Sequence, residues 1–430
     1  MRANNSHIIQ TQSIEIEFEN LDDAIGVQNR IAELFYEKLQ PKMEQLFDEM
    51  TGEKYFANID KLEIDCGTLS KKNWEEDFVD ASLRQLKQEL IQINKKEINQ
   101  RQLAAEIFLF FLQHGYLPWN SRIKSIEVLE EYIELNGDFI SKLKKVISQS
   151  ESVSERLAYQ FTEIFCEKII SALTLNKKEQ LQNIFSGTDN LKYFSIDKRK
   201  MNSILIRVFS ADENKNAEQI FFKTLYHQVN DAAKPAVKKL LEELSTEDAT
   251  PADDLKPETP YRKPETIYIT NAGIIILHPF LPELFEQVKL THEQAWIDTT
   301  TQQKAALLLE FLASGANTFP EFNLPLNKIL CGIDLNDVLK SEEPLSDEIK
   351  TECENLLTEV IKHWSVLKNT SKDSLRETFL QRKGKLSRVD DGWLLQVEQK
   401  GVDILLSHLP WGIGTIKLPW MKNILHVEWT

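Results

Sequence analysis

The chain has 430 residues, with 51 basic and 67 acidic side chains and a formal net charge of −16. This balance argues against sequence-independent binding to nucleic acid, because tracking the phosphate backbone needs clustered lysine and arginine. Hydrophobic residues make up 42% of the chain, enough for a core in each of roughly two to four domains, and the 14 glycines exclude collagen-like or linker-like compositions.

The first predicted module is an α/β unit at residues 1–97. Ile14 and Ile16 alternate with glutamates, which is typical of a strand with one solvated face. The predicted elements are, in order, a strand at 13–19, a helix over 21–50 that breaks near Pro41, a strand at 62–66 and a helix over 74–93.

A helical middle is predicted at residues 98–241, where apolar residues recur at helical spacing and no clear strand pattern occurs. An acidic linker is predicted at 242–264. Its four prolines lie among glutamate, aspartate, threonine and alanine, a composition too polar to bury a surface.

Residues 265–430 are predicted to form a Trp-rich α+β domain with an antiparallel sheet, since six of the eight tryptophans lie there. The predicted elements are a helix capped by Ser346 and running to about Leu367, a helix opened by Ser371 and closed by Gly384 as its C′ residue, a hairpin turning at Asp391-Gly392, and a last strand at 425–429. The fold class predicted for the whole chain is α+β and mainly helical.

The tripeptide Leu-Pro-Trp occurs three times, ending at Trp119, Trp411 and Trp420. Proline holds the preceding leucine extended and tryptophan supplies a large flat anchor, so each copy is interpreted as a structural corner in preference to a binding hot spot. The full set of candidate corners or protein contacts is Trp119, Trp411, Trp420, Trp429, Phe280 and Phe285.

The four cysteines are far apart and form no Cys-x-x-Cys pair, so they are expected to be reduced thiols. No apolar run approaches the roughly 18 residues of a membrane span, and the first residues have no secretory apolar region. The protein is therefore expected to be made and folded in the cytoplasm, and to be able to leave it inside a larger particle.

Each candidate catalytic or cofactor motif lacks one residue that the motif requires. Lys417 stands where a dinucleotide loop needs glycine, and Phe379 stands where a phosphate loop needs it. Trp296 replaces the second histidine of a zinc-protease helix that would begin at His292. His278, in an apolar stretch, is interpreted as a core imidazole. No catalytic, cofactor or metal residues are predicted, and the protein is expected not to be an enzyme.

Several segments carry a distinctive order of residues: IDKLEIDCG at 59–67, NAGIIILHPFLPELF at 271–285, LPLNKILCG at 324–332, LRETFLQR at 375–382 and IKLPWM at 416–421. In these segments the chain resembles the tape measure protein family of bacterial contractile injection systems. The resemblance implies a structural component of a phage-tail-like particle, in which a tube inside a contractile sheath is built on a baseplate to a set length. Tube, baseplate or hub subunits are the implied partners, with self-association left open, and neither nucleic acid nor a membrane is expected.

The length of the chain conflicts with a simple ruler. One continuous helix of all residues would span about 645 Å, and the prolines and the two α+β modules forbid such a helix. Residues 98–264, drawn out fully, would reach about 550 to 600 Å. Two alternatives stay open: a compact assembly chaperone or baseplate adaptor of the same particle, and a cell-wall hydrolase carried by it, for which the sequence offers no converging acid/base pair.

Overall fold

The computed structural model describes residues 13–17, 24–50, 62–69, 72–95, 100–119, 121, 123–175, 177–189, 196–211, 216–244, 266–340 and 344–429. The chain divides into two compact units, Met1–Leu103 and Ala104–Thr430. The four-part division predicted from composition stays a prediction, and its linker at 242–264 lies outside the described residues from position 245 onward.

The described part of the first unit contains helices α1 (Ala24–Leu34), α2 (Gln40–Met50) and α3 (Trp74–Lys95), with a π-helical turn at Phe35–Leu39 between α1 and α2. Pro41 is the second residue of α2. Proline has no N–H to donate and its ring clashes with the carbonyl one turn earlier, so a regular α-helix cannot continue through this point. The wider π-helical turn lies immediately before the proline and accommodates it.

A small apolar cluster holds these helices together, with Leu34, Leu39 and Val79 at its centre. Residues 13–17 and 62–69 lie outside the helices, and neither segment is assigned to a strand within the described residues. The two strands predicted for this module therefore stay predictions, and residues 18 and 19 of the first lie outside the described part of the chain.

Every described element between residues 100 and 244 is a helix. These are α4 (Gln100–His114), α5 (Ile126–Tyr132), α6 (Gly137–Ile147), α7 (Glu151–Gln160), α8 (Glu163–Leu173), α9 (Lys178–Asp189), α10 (Lys198–Ser210), α11 (Ala217–Gln228) and α12 (Lys234–Leu244). The starts of α5, α6, α7 and α8 follow from local chemistry, because side-chain oxygens of Ser125, Asn136, Ser150 and Thr162 accept hydrogen bonds from the first free backbone N–H groups. The prediction of a mainly helical fold is confirmed.

The rest of the second unit mixes helices and short strands. The α-helices are α13 (Leu281–Gln287), α14 (Thr299–Ser314), α15 (Pro325–Cys331), α16 (Asp347–His363) and α17 (Lys372–Leu375), the last continued by a π-helical turn at Arg376–Leu380. The 3-10 helices are Ala272–Phe280, Glu321–Asn323, Ser365–Leu367 and Gly401–His408. The strands are β1 (Ile267–Ile269), β2 (Thr291–His292), β3 (Ala295–Trp296), β4 (Gly384–Val389), β5 (Gly392–Val397), β6 (Thr415–Ile416) and β7 (Ile424–Glu428).

Five of the strands form one sheet in the order β1-β4-β5-β7-β6, and β2 and β3 form a separate hairpin. Neighbouring strands of the large sheet are antiparallel except β5 and β7, which are parallel, with Trp393 opposite Leu425. The prediction of an antiparallel sheet is therefore wrong for this pair. Alternation of side chains shows which face of a strand is buried, but it carries no information on the direction of its neighbour.

Local signals placed two of the C-terminal elements well. The hydroxyl of Ser346 accepts a hydrogen bond at the start of α16, and the 3-10 helix that ends at Leu367 follows this helix. The hairpin forms where predicted, but Val389 pairs with Gly392, so the two loop residues are Asp390 and Asp391.

Ser371 also accepts the predicted capping hydrogen bond, at the start of α17. The helical segment that it opens ends at Leu380, and Gly384 is the first residue of β4. The prediction of Gly384 as a helix-closing residue is wrong. This glycine is needed because a Cβ atom there would come within 2.6 Å of the Cβ atom of Ala272.

Candidate functional site

Three glycines of the second unit lie where two stretches of backbone meet. A Cβ atom on Gly273 would overlap the carbonyl oxygen of Phe379, and one on Gly392 would overlap that of Ile424. Gly332 has a φ of +72° and lies against the carbonyl oxygen of Trp420, 2.5 Å from where its Cβ would be. Only glycine fits at such close approaches, so each of these three contacts requires glycine at its position.

Two cations and one carboxylate are buried together at one place in the second unit. Arg156 of α7 is 0% exposed, and Glu321 and Lys328 are each 1% exposed. Arg156 Nε lies 3.3 Å from both oxygens of the Glu321 carboxylate, and Lys328 Nζ lies 2.5 Å from Oε1 of the same group. We call these three residues the buried charge cluster.

Backbone carbonyls complete the buried charge cluster. Arg156 donates to the carbonyl oxygens of Leu112 and Asn336 at 2.5 and 2.7 Å. Lys328 donates to those of Leu335 and Asp337 at 3.1 and 2.7 Å. Burial lowers the pKa of Lys328, and the Glu321 carboxylate opposes that shift.

The buried charge cluster fixes the helical segment to the sheet-containing part of the same unit. Glu321 and Arg156 are 165 positions apart in sequence, and Gln160, also on α7, donates to the carbonyl oxygen of Leu339 at 2.7 Å. Near the surface, Lys340 pairs with Glu155 at 2.5 Å. Since each buried charge has its partners inside the protein, this contact is specific and cannot be replaced by water without loss.

A second polar cluster joins three elements through amide groups. Asn271 Nδ2 donates to Glu310 Oε2 at 2.6 Å and to Asn327 Oδ1 at 2.8 Å, and all three residues are buried. Burial raises the pKa of the Glu310 carboxyl to about 7, while the hydrogen bonds from Asn271 and Asn327 oppose the shift.

Two arginines of the segment at 375–382 anchor the elements around the sheet. Arg376 pairs with Glu354 of α16 and donates to the carbonyl oxygen of Leu312 at 3.1 Å. Arg382 is 0% exposed and pairs with Asp403 through Nη2 and Oδ1 at 2.8 Å. These contacts assign a structural role to both guanidinium groups.

Two of the three Leu-Pro-Trp corners turn their indole N–H groups toward the protein. Trp411 Nε1 donates to the carbonyl oxygen of Ile276 at 2.9 Å, and its ring meets Phe280 edge-on with centroids 5.0 Å apart. Trp420 Nε1 donates to the carbonyl oxygen of Leu330 at 2.8 Å, and its ring lies 5.4 Å from that of Phe285. Both indoles are half-buried, so one part of each still faces outward.

The other candidates lie apart from these pairs. Trp429 is 2% exposed, and its Nε1 donates to Asp403 Oδ2 at 3.2 Å, so it packs against the Arg382 ion pair. Trp119 is half-buried in the turn after α4. A role of any of these aromatic residues in contacts with another subunit stays a prediction.

Three side chains of reactive types, one histidine and two cysteines, are buried or half-buried. His278 contacts the carbonyl oxygen of Ile275 through Nδ1 at 2.9 Å, and burial lowers its pKa. Burial raises the pKa of Cys166 and of Cys353 to about 12. Within the described residues there is no group of three or more side chains placed to hold a metal ion. No helix in the described part of the chain is both long and apolar enough to cross a membrane.

Sequence reasoning missed the buried charge cluster entirely. Arg156 lies in a helix with ordinary polar neighbours, and nothing around it in sequence indicates burial. Lys328 did carry a signal, because it is flanked by apolar residues in the segment at 324–332, where a lysine is costly to bury without a partner.

A family model described as contractile injection system tape measure protein matches residues 6–429. A search of curated proteins and a search of solved structures each found no match. The matched range covers both units and every segment whose packing is described above. The role of this family is structural and sets the length of the tube. The chain therefore belongs to the tape measure protein family of contractile injection systems.

Proposed function

We propose that this protein acts in tube-length control as a folded body that contacts tube and baseplate subunits, and that its helical segment is not drawn out along the tube. The observation that supports this is the buried charge cluster. It ties α7 to the sheet-containing part of the chain through Arg156, Glu321 and Lys328.

Drawing out the helical segment would break this contact. It would separate the buried Glu321 carboxylate from Arg156, one of its two cations. Removing one partner of a buried ion pair costs about 3 to 5 kcal/mol. It would also expose helix faces that pack tightly, since Phe108, Phe209 and Phe221 are all 0% exposed. A folded helix of the size of α10, with 13 residues, spans only about 20 Å.

Association with tube and sheath subunits follows from family membership. Contact with the baseplate or hub is our proposal, because a compact unit such as Ala104–Thr430 is suited to occupy one end of a growing tube. The outward-facing parts of the half-buried Trp411 and Trp420 indoles are the contact residues that we propose. A compact adaptor that leaves the particle after assembly is the second candidate, and mass spectrometry of purified particles separates the two.

A series of insertions tests whether the length of the chain determines the length of the particle. Flexible glycine-serine segments of 20, 40 and 60 residues are placed between Asp254 and Leu255, and particle lengths are measured by electron microscopy. We expect one unchanged length. An extended ruler would instead lengthen the particle by about 70 Å for every 20 residues added, at ~3.5 Å per residue.

Deletion of the whole gene is the control for the insertion series. Particles of variable length, or none, are expected without the protein. If particles without it keep the wild-type length, the length-setting role itself is absent, whatever the insertions do.

A further inference from the structure

Three residues of the second unit have backbone angles that proteins usually reserve for glycine. Lys289, Glu293 and Gln294 have φ values of 58°, 50° and 64°, and within the described residues no other non-glycine residue has a positive φ. All three lie in residues 289–297, which we call the hairpin segment and which contains β2 and β3. At such a φ the Cβ atom comes close to the following carbonyl oxygen, so each position is strained.

The first strained position lies at the end of a helix. Gly315 and Gly332 end α14 and α15 with a φ of +72° each. Lys289 has the equivalent place after α13, where the N–H of Leu290 donates back to the carbonyl oxygen of Phe285 at 2.8 Å. Glycine is the usual residue at this place in a helix end of this kind, because it has no Cβ atom. The chain uses glycine at the other two helix ends and lysine here.

The other two strained positions form the turn of the hairpin. His292 pairs with Ala295, so Glu293 and Gln294 make a two-residue turn in which both φ angles are positive. Asparagine followed by glycine is the usual sequence of such a turn. Neither residue is present, so this turn is strained at both of its central positions.

The hairpin segment also buries a polar group without a partner. Trp296 Nε1 is buried and has no hydrogen-bond acceptor within the described residues. The centroid of its ring lies 5.5 Å from that of Phe285 and 4.7 Å from that of Trp420. Trp420 Nε1, in contrast, donates to the carbonyl oxygen of Leu330 at 2.8 Å. Since an indole N–H can only donate, burial without an acceptor destabilises the observed position of Trp296.

Short strands and long hydrogen bonds hold the hairpin segment in place. β2 and β3 have two residues each, and a two-stranded hairpin alone is at best marginally stable. Glu286 of α13 accepts from Thr291 Oγ1 at 3.2 Å and from the backbone N–H of Glu293 at 3.4 Å, both long for their type. The N–H of Ile297 donates to the carbonyl oxygen of Leu290 at 3.2 Å. These polar contacts are weak compensation for three strained residues and one unpaired donor.

We infer that the hairpin segment is a flap, which opens in the folded chain while the rest of the second unit keeps its structure. Opening relaxes the three strained residues and lets the N–H of Trp296 reach water. The packing of the Trp296 ring on Phe285 and Trp420 opposes opening and returns the flap to its closed position.

Opening changes the surface at one of the Leu-Pro-Trp corners. Trp420 is a contact residue of the proposed function, and it loses its aromatic neighbour Trp296 when the flap opens. This consequence rests on the proposed function, whereas the opening itself does not. The opening is measured in the isolated chain, so a negative result would leave the proposed function untouched.

Amide hydrogen exchange of the full chain, labelled with 15N-isoleucine and followed by NMR, tests the opening. The amide of Ile297 reports on the flap, and that of Ile361, inside α16, reports on the rest of the unit. We expect protection of Ile297 to be at least 100-fold lower than that of Ile361 and to change little in 1 M urea, because a local opening exposes little surface. Equal protection, or equal sensitivity to urea, would show that the segment opens only when the unit unfolds.

Two glycine variants at neighbouring exposed residues test whether strain sets the opening. Gln294→Gly removes the strain at a left-handed position and should slow exchange of the Ile297 amide at least threefold. Ala295→Gly, at a residue whose φ is not positive, should not slow it. Thermal unfolding checks that both variants fold. The inference is overturned if Gln294→Gly leaves the exchange unchanged or if both variants slow it equally.

Discussion

Replacing Glu321 by glutamine should destabilise the second unit strongly, because it leaves Arg156 and Lys328 buried without a counter-charge. Both cations are at most 1% exposed, so water cannot take the place of the carboxylate. Removing one partner from a buried ion pair costs about 3 to 5 kcal/mol. With about 2 °C of melting temperature per kcal/mol in a unit of this size, the melting temperature should fall by about 6 to 10 °C.

Tryptophan fluorescence during thermal and urea unfolding measures this loss, since six of the eight tryptophans lie after residue 264. Glu155→Gln is the matched control. Its partner Lys340 joins the same two regions, but the side chains are 23% and 41% exposed. Exposed pairs contribute about 0 to 1 kcal/mol. Equal losses in the two variants, or a loss below about 1 kcal/mol for Glu321→Gln, would refute the view that burial determines the cost.

Three further predictions concern other sites. Burial raises the pKa of Glu310 to about 7, so the folded state holds a proton that the unfolded state releases near pH 4.5. The free energy of unfolding should therefore fall by about 3 kcal/mol between pH 4.5 and 7. Glu310→Gln should abolish that fall in urea titrations. Gly392→Ala should lower the free energy of unfolding by at least ~2 kcal/mol, because the added Cβ would overlap the Ile424 carbonyl. Gly401→Ala, with open space around it, should change that free energy little in the same assay. Cys66 is half-buried and the other three thiols are buried, so iodoacetamide should label the native chain once. Intact-mass spectrometry measures the number of labels, and more than one rapid label would contradict the burial pattern.

Local chemistry made part of this fold predictable. Ser346 and Ser371 could be placed at helix starts because a hydroxyl that accepts from the first backbone N–H groups acts within three residues of its own position. Asp391 could be placed in a hairpin turn for a similar reason. Gly392 was misinterpreted, because what requires it is a strand that lies more than 30 residues later in the chain.

Long-range chemistry was not predictable from the sequence. The carboxylate that pairs with Arg156 belongs to Glu321, in a 3-10 helix 165 positions away, and no local pattern connects the two. The parallel pairing of β5 with β7 was missed because alternation is the same in either direction. The candidate aromatic residues were found by composition, but only the fold shows that Trp411 and Trp420 donate to the backbone of the 3-10 helix Ala272–Phe280 and of α15.

The place of β7 in the sheet has a consequence for synthesis. It lies between β5 and β6, yet its residues, Ile424–Glu428, follow those of every other strand in chain order. During translation, the position between β5 and β6 stays empty until β7 leaves the ribosome. Exposed strand edges of that kind favour aggregation. A nascent chain that stalls earlier cannot close the sheet.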